Sequence, residues 1–489
     1  MTEPSAVAAP SRERRTPGLL VAALPVVLML ALMIVGTLRF DLDPVVLLVA
    51  ACAVTGVIAR WLGVTWNEML TGIRSKIDDA MPALLILISI GMLIGTWTLS
   101  GTIPMIVDWG LKAIQPSWIV VLAFLITMVV STVTGTSWGS VGTVGVALIG
   151  VAGGLGVSLP MTAGAIISGA YFGDKMSPMS DTTNLAPAVA GSNLFEHIRH
   201  LLWTTGPAAV LSCVLYLFLG RTQHADGHAA QRTVALRTVL EQGFHFNLLL
   251  LLPPAAVLVG AIMKKPPLPT ILVSSAVAGI LGAVFQGFSL QQIGASASTG
   301  FTTSMLSGHP QHLSAAADTL LNRGGMSSMA STMLIGLAGF AFAGILTETG
   351  CLDVLMRRLL TKVRRTGGIV LATSLTSVGA ALTMGVSYLT IIVPGQAFRE
   401  IYPERGLAPK NLSRTLEDSG TVFVPLVPWT EAATYMSTTL GVATMAYAPY
   451  AFLNYFGVII AVICGYTGLG IARQEPVRKA AEVPVPAAV

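Results

Sequence analysis

Apolar residues along this chain gather into long runs, at 19–38, 45–61, 82–99, 119–133, 204–219, 248–263, 270–285, 333–346, 369–382 and 452–464. A helix that crosses the hydrocarbon layer needs about 20 mostly apolar residues. The runs therefore predict membrane-spanning helices. With shorter and broken runs added, about ten to twelve crossings or partial crossings are expected. The fold class this predicts is an all-α polytopic membrane protein.

Three stretches break the pattern with polarity. Residues 171–184, YFGDKMSPMSDTTN, place two aspartates, a lysine and five hydroxyls between the short apolar segments 161–172 and 185–190. Residues 131–140, STVTGTSWGS, carry six hydroxyls and two glycines. The third, VPLVPWTE at 424–431, sets two prolines before an acid. Proline removes a backbone donor and breaks helical continuity. A helix broken at membrane depth is tolerated only against protein or a water-filled cavity. Freed carbonyls, hydroxyls and carboxylates there would be oxygen ligands for a hard cation, so 171–184 predicts a discontinuous helix or re-entrant hairpin that binds a small ion. The plainer alternative is a solvated loop with the same composition. For Ser131 and Thr132, bonding within or between helices is the favoured reading. For Thr136 and Ser137, beside glycines where the chain can unwind, ion contact is equally open.

The halves of the chain resemble one another. Gly135-Thr-Ser137-Trp138 matches Gly385-Val-Ser387-Tyr388, and 385 − 135 = 250. Pro178-Met-Ser180-Asp181 matches Pro428-Trp-Thr430-Glu431, and 428 − 178 = 250. Thr98–Gly101 matches Thr347–Gly350 at 249, and Gly63-Val-Thr65 matches Gly287-Phe-Ser289 at 224. A polar insertion around 302–328 accounts for the change of register. The loop 101–118 holds Lys112 alone, whereas its counterpart 350–368 holds Arg357, Arg358, Lys362, Arg364 and Arg365. Conversely Arg60, Arg74 and Lys76 face only Arg323 in the second half. Lys and Arg collect on the cytoplasmic side, so equivalent loops are expected on opposite sides, the mark of inverted-topology repeats. The expected organisation is a cytoplasmic tail at 1–18, a first repeat at 19–221, a polar linker at 222–243, a second repeat at 244–470 and a tail at 471–489. Arg12, Arg14 and Arg15 before the first run place the N-terminus in the cytoplasm. That run is too long for a cleaved signal peptide.

Composition agrees and excludes much else. Hydrophobic residues make up 53% and charged residues 10% of 489, with a mean hydropathy of +0.75. An ordinary soluble domain is about a quarter charged. The net charge of +5 reflects membrane orientation, not nucleic-acid binding. Cys52, Cys213, Cys351 and Cys464 sit singly as small hydrophobes, with no disulfide framework. His224 and His228 flank Asp226 in the linker, a spacing that rarely makes a zinc site without a further ligand. No GxxxxGK[ST] or HExxH occurs, so neither a nucleotide nor a cofactor is expected and the chain is not read as an enzyme.

The strings TGTSWGSVGT at 134–143 and SGAYFGDKMSPMSDTT at 168–183 closely resemble the NhaC-type Na+/H+ antiporters of the ion-transporter superfamily. The similarity extends over nearly the whole chain, including Val427-Pro-Trp429 and Tyr447-Ala-Pro-Tyr450 with Asn454. The resemblance implies a multi-pass carrier of the bacterial inner membrane, built from inverted repeats and exchanging Na+, and by extension Li+, for H+. Some members couple these ions to organic anions, as in malate/lactate exchange, or to amino-acid-like substrates. No arginine is evident inside a span, which favours cation exchange. The partners expected are the lipid bilayer, Na+ and H+; a homodimer is compatible with the sequence.

Antiport needs a site that holds a cation or protons in turn, and a carboxylate shielded from water can do so. Asp174 and Asp181 are the expected competing groups, with Thr182 completing a Na+ site. Ser177, Ser180, Thr183, Thr136 and Ser137 would supply further oxygens. In the second half the expected counterparts are Ser387, Thr430 and Glu431. Lys175 is expected to snorkel to the interface rather than pair, Asp418 to sit at a loop edge, and Glu348 to be at most a helper. Asp181→Asn is expected to abolish sodium-dependent proton flux.

Overall fold

The computed structural model describes residues 15–223, 229–263, 265–306, 315–351, 354 and 365–474. Arg12 and Arg14, the linker residues His224, Asp226 and His228, and Arg357, Arg358, Lys362 and Arg364 lie outside these residues. Helix is the only regular structure described, apart from the isolated bridges Phe301–Arg323 and Leu407–Arg473. Among the described residues, 8 helices are long and apolar enough to cross a membrane, or up to 10 if each of two bent pairs counts as one span. The bent pairs are Thr233–Gly243 with Leu248–Ile262, at 104°, and Thr444–Tyr450 with Phe452–Thr467, at 55°. Every apolar run read from the sequence falls within a helix or a bent pair.

The chain divides into two compact units, the smaller comprising residues up to Ala80 together with a segment beginning at Leu337. In it, α1 (Leu19–Phe40), α2 (Pro44–Trp61) and the start of α3 (Trp66–Leu99) meet the end of a later helix, Ala330–Glu348. Ala59, Val64, Met69 and Ile345 form its core. Gly72 and Gly344 let two helix backbones touch: a Cβ on Gly72 would lie 2.6 Å from the Gly344 carbonyl. Small residues serve this purpose in membrane helices, where close van der Waals packing replaces the hydrophobic drive.

The larger unit contains the broken helices. Its scaffold is the pair α5 (Ile119–Thr134) and α8 (Leu159–Met176); between them lie α6 (Ser137–Ser140), a π turn at Val141–Gly145 and α7 (Val146–Gly154), and α4 (Thr102–Ala113) precedes them. Gly169 and Gly173 of α8 press on the backbone of α5, where an added Cβ would collide with the Phe124 carbonyl and the Thr132 amide respectively. The Ser131 hydroxyl donates to the Ala170 carbonyl across this contact at 2.6 Å, and Thr132 bonds its own helix at Met128. Both act as the packing reading of these hydroxyls requires. We expect Gly173→Val to separate α5 from α8 and cost at least about 1–3 kcal/mol, the usual toll of overpacking; size-exclusion chromatography of the detergent-extracted protein checks it through loss of the folded peak.

Positions matched in the sequence share local geometry. Gly135 ends α5 at φ 70, and Gly385 ends the helix Thr366–Met384 at φ 66. At Gly135 an added Cβ would strike Met179 at 2.7 Å, whereas at Gly385 it would make ordinary contact with Thr430 and the Trp429 carbonyl at 3.6–3.7 Å. The ten-residue helices α9 (Asp181–Ala190) and Glu431–Leu440 are capped by Ser180 and Thr430 and end at left-handed Gly191 and Gly441. Glycine at such positions avoids the steric cost of a Cβ at positive φ.

Two segments differ from their sequence reading. Most of 101–118 is the buried helix α4, and much of the linker 222–243 is α11 (Ala229–Gly243), whose Leu236 and Leu240 are buried. Asp108 of α4 accepts from Lys112 at 2.6 Å and from Arg237 of α11 at 3.0 Å. Polar composition suggested a solvated linker because these charges pair between helices, which composition alone does not reveal.

Candidate functional site

The α8 helix stops at Met176 because Pro178 follows and Ser177 turns to extended geometry. The chain resumes helix at Asp181, where the Ser180 hydroxyl caps the Thr183 amide. Thr183 fastens the two pieces by donating to the Asp174 carbonyl at 2.6 Å and the Lys175 carbonyl at 3.1 Å. The break is thus a built element, not a slack loop.

Asp174 stands in the last turn of α8 with both carboxylate oxygens engaged. Ser137, from the second polar stretch, donates to Oδ2 at 2.8 Å, and Ser180, from beyond the break, donates to Oδ1 at 2.6 Å. Ser180 also lies 3.1 Å from the Thr182 hydroxyl. The C-terminal turn of a helix carries partial negative charge that favours a cation, whereas the N-terminal turn favours an anion. Asp174 sits at the first kind of end and Asp181 at the second.

These groups line one cavity of about 420 Å³. Of the residues expected from sequence, Asp174, Ser180, Asp181, Thr182, Thr136, Ser137, Ser387 and Glu431 border it. Ser177, Thr183 and Thr430 do not. Ser177 accepts from the Met179 amide, Thr183 ties the break, and Thr430 caps its helix while donating to the Val424 carbonyl at 2.7 Å. Thr136 caps α6 as well as lining the cavity. Asp181 is exposed into the cavity, with the Tyr388 hydroxyl 3.4 Å from its Oδ2. Glu431 is buried and accepts from the Ser387 amide at 3.1 Å. The three carboxylates share a cavity without converging as a metal-chelating trio; no such cluster of three occurs among the described residues. Oxygen ligands here would come mainly from hydroxyls and helix ends, which suits a hard cation and not a transition metal.

Behind this wall lie two further carboxylates. Thr421 borders the cavity and donates to Glu417 Oε2 at 2.7 Å. Glu417 and Asp418 sit on a π turn, Glu417–Thr421, and are fully buried. Lys175 Nζ meets Asp418 Oδ1 at 2.6 Å, with neither side chain more than 2% exposed. Lys175 therefore does not snorkel and Asp418 is not at a loop edge; burial on α8 points the ammonium inward to the only kind of partner that compensates it. Glu417 Oε1 and Asp418 Oδ2 have no partner in the described structure. A pair of adjacent acids followed by an apolar stretch was the available signal for this site, but its lysine lies 243 residues away in sequence.

Sequence reasoning also missed the aromatic wall. Trp138 stacks on Tyr435 at 4.6 Å between centroids, and the Tyr435 hydroxyl donates to the Trp138 carbonyl at 2.7 Å. Two arginines outside the candidate spans are wholly or partly buried: Arg414 is fully buried, its Nη1 donating to the Gly470 carbonyl, and Arg323 is half-buried at a second cavity. Arg414 belongs to the short helix Pro409–Leu416 and Arg323 to an isolated bridge with Phe301, segments that apolar runs do not mark.

Comparison with known proteins gives this geometry a family. A family model described as the Na+/H+ antiporter family matches residues 169–469, from within α8 through the cavity carboxylates and the Glu417–Asp418 pair. A protein of Haemophilus influenzae described as an uncharacterized Na+/H+ antiporter is 47% identical over 465 residues, covering 94% of this chain and 98% of that protein. The Na+/H+ antiporter NhaC of Alkalihalophilus pseudofirmus is 36% identical over 455 residues, 91% of this chain and 95% of its own. A Bacillus subtilis protein named malate-2H+/Na+-lactate antiporter is 33% identical over 443 residues, 90% and 92% of the two chains. The similarity covers both halves of the chain and the broken helices that form the cavity, and on it this chain belongs to the Na+/H+ antiporter family.

Proposed function

We propose that this protein exchanges Na+, and Li+ in its place, for H+ across the bacterial cytoplasmic membrane by alternating access, with its two halves arranged as inverted repeats and its N-terminus in the cytoplasm. One observation carries the reading: Asp174, at the C-terminal end of a broken helix, is held by hydroxyls from two other segments at the wall of the first cavity. A sodium ion would displace the serine protons' hold on Asp174 and take oxygens from Ser137, Ser180 and Thr182. A proton on the same carboxylate removes the charge that attracts the ion, so the two occupants exclude each other. Asp181, exposed in the cavity at a helix N-terminus, would gather the ion, and Glu431 would close the site from the second half.

Reconstitution into liposomes tests this directly. An imposed pH gradient should collapse on adding Na+ or Li+ but not K+, and the apparent KM for sodium should rise as pH falls, because protons compete for the site. Activity on malate or lactate without any sodium dependence would replace this reading with organic-acid exchange, the chemistry named for the Bacillus subtilis relative. In place of the complete loss expected from sequence, Asp181→Asn should raise the apparent sodium KM, by about tenfold if one charge-assisted contact is lost, while leaving more of the maximal rate than substitution of Asp174 does, because Asp181 is exposed with one long contact.

A further inference from the structure

A second cavity, of about 320 Å³, lies apart from the first and is lined by Arg323 and Asn322, by Thr299, Thr302, Ser328 and Thr438, and by the apolar Ile94, Phe301 and Met329. The Arg323 guanidinium donates through Nη2 to the Thr439 carbonyl, and no carboxylate pairs with it among the described residues. A half-buried guanidinium without an anion bears a desolvation cost that a bound anion would offset.

The arginine is also held in place. Its carbonyl accepts from the Phe301 amide at 3.2 Å, and the Gly325 amide donates to the Gly91 carbonyl at 2.7 Å. Gly324 and Gly325, at φ 85 and 81, pack so tightly that a Cβ on either would strike the backbone of Gly95 or Gly300. A side chain fixed by its backbone loses little freedom on binding.

We propose that this cavity is a binding site for a small organic carboxylate. The planar guanidinium matches a carboxylate in bidentate fashion, which a monatomic anion cannot use. The Asn322 amide is taken up by the Thr303 amide and Asp318, and the Thr299, Thr302, Ser328 and Thr438 hydroxyls bond to protein neighbours. The guanidinium is thus the group left to recognise the ligand, while Ile94, Phe301 and Met329 suit a short carbon chain. The helix Glu431–Leu440 presents Glu431 to the first cavity and Thr438 to the second. Seven residues separate them, about 10 Å along a helix axis.

Calorimetric titration of the purified full-length protein in detergent, at constant sodium and pH, tests this by binding alone, independent of any transport reading. Malate and lactate are the probes, with chloride and phosphate as comparison anions. Saturable one-site binding of a carboxylate, weakened about tenfold or more by Arg323→Gln and less by Arg323→Lys, is the expected result. Absence of saturable carboxylate binding to the unaltered protein overturns the proposal, as does binding of chloride or phosphate at least as tight. An affinity unchanged by Arg323→Gln also overturns it. Should that variant fail to elute as folded protein, Ser328→Leu fills the cavity while keeping the guanidinium, and unchanged affinity in it overturns the proposal equally.

Discussion

Asp174→Asn is expected to reduce sodium-dependent proton flux in proteoliposomes to background, a fall of about 10²-fold or more, the scale on which loss of a proton-carrying group acts. The asparagine keeps the shape of the carboxylate and can still accept from one of Ser137 and Ser180, so the break in α8 should survive. What disappears is the negative charge at the C-terminal helix end, and with it both occupants of the site. Asp174→Glu should retain partial activity, since it keeps the charge while displacing it. The measurement is flux normalised to the amount of folded protein; flux equal to that of the unaltered protein in Asp174→Asn would remove Asp174 from the mechanism.

Ranking Asp174 above Asp181 follows from geometry that the sequence does not hold. Both acids stand in one polar stretch, and residue type distinguishes neither. The structure separates them by which helix end each occupies and by hydroxyls arriving from Ser137 and Ser180. The membrane-helix fold, by contrast, was legible because spans of apolar residues have a required length and nothing else in the chain does. The break at Pro178 was legible because a proline flanked by hydroxyls inside an apolar context has few structural uses. Lys175 was misread because its partner Asp418 comes from the other half of the chain, and pairing over that separation leaves no local pattern. Arg323 was counted as a loop charge because its insertion has no periodicity; only the fold shows two left-handed glycines pinning it over a cavity.

The buried pair carries the second large effect. Lys175→Met leaves the Asp418 carboxylate fully buried with neither oxygen paired, since Oδ2 already lacks a partner. Removing one member of a buried ion pair typically costs about 3–5 kcal/mol, because the remaining charge keeps its desolvation penalty without its compensation. Thermal unfolding in detergent should therefore show a markedly lower midpoint for Lys175→Met and for Asp418→Leu, each taken alone. The double variant Lys175→Met/Asp418→Leu should recover most of the loss, as apolar replacement of a whole buried pair is often neutral or stabilising. Stability and transport then separate. If the pair only holds α8 against the π turn, the double variant transports normally. If the ammonium trades Asp418 for Glu417 as ions enter through the Thr421 wall, the double variant is stable and transports poorly. The second outcome is expected, because Glu417 Oε1 and Asp418 Oδ2 are buried without a protein partner among the described residues. A cluster needed only for packing would gain from losing those groups.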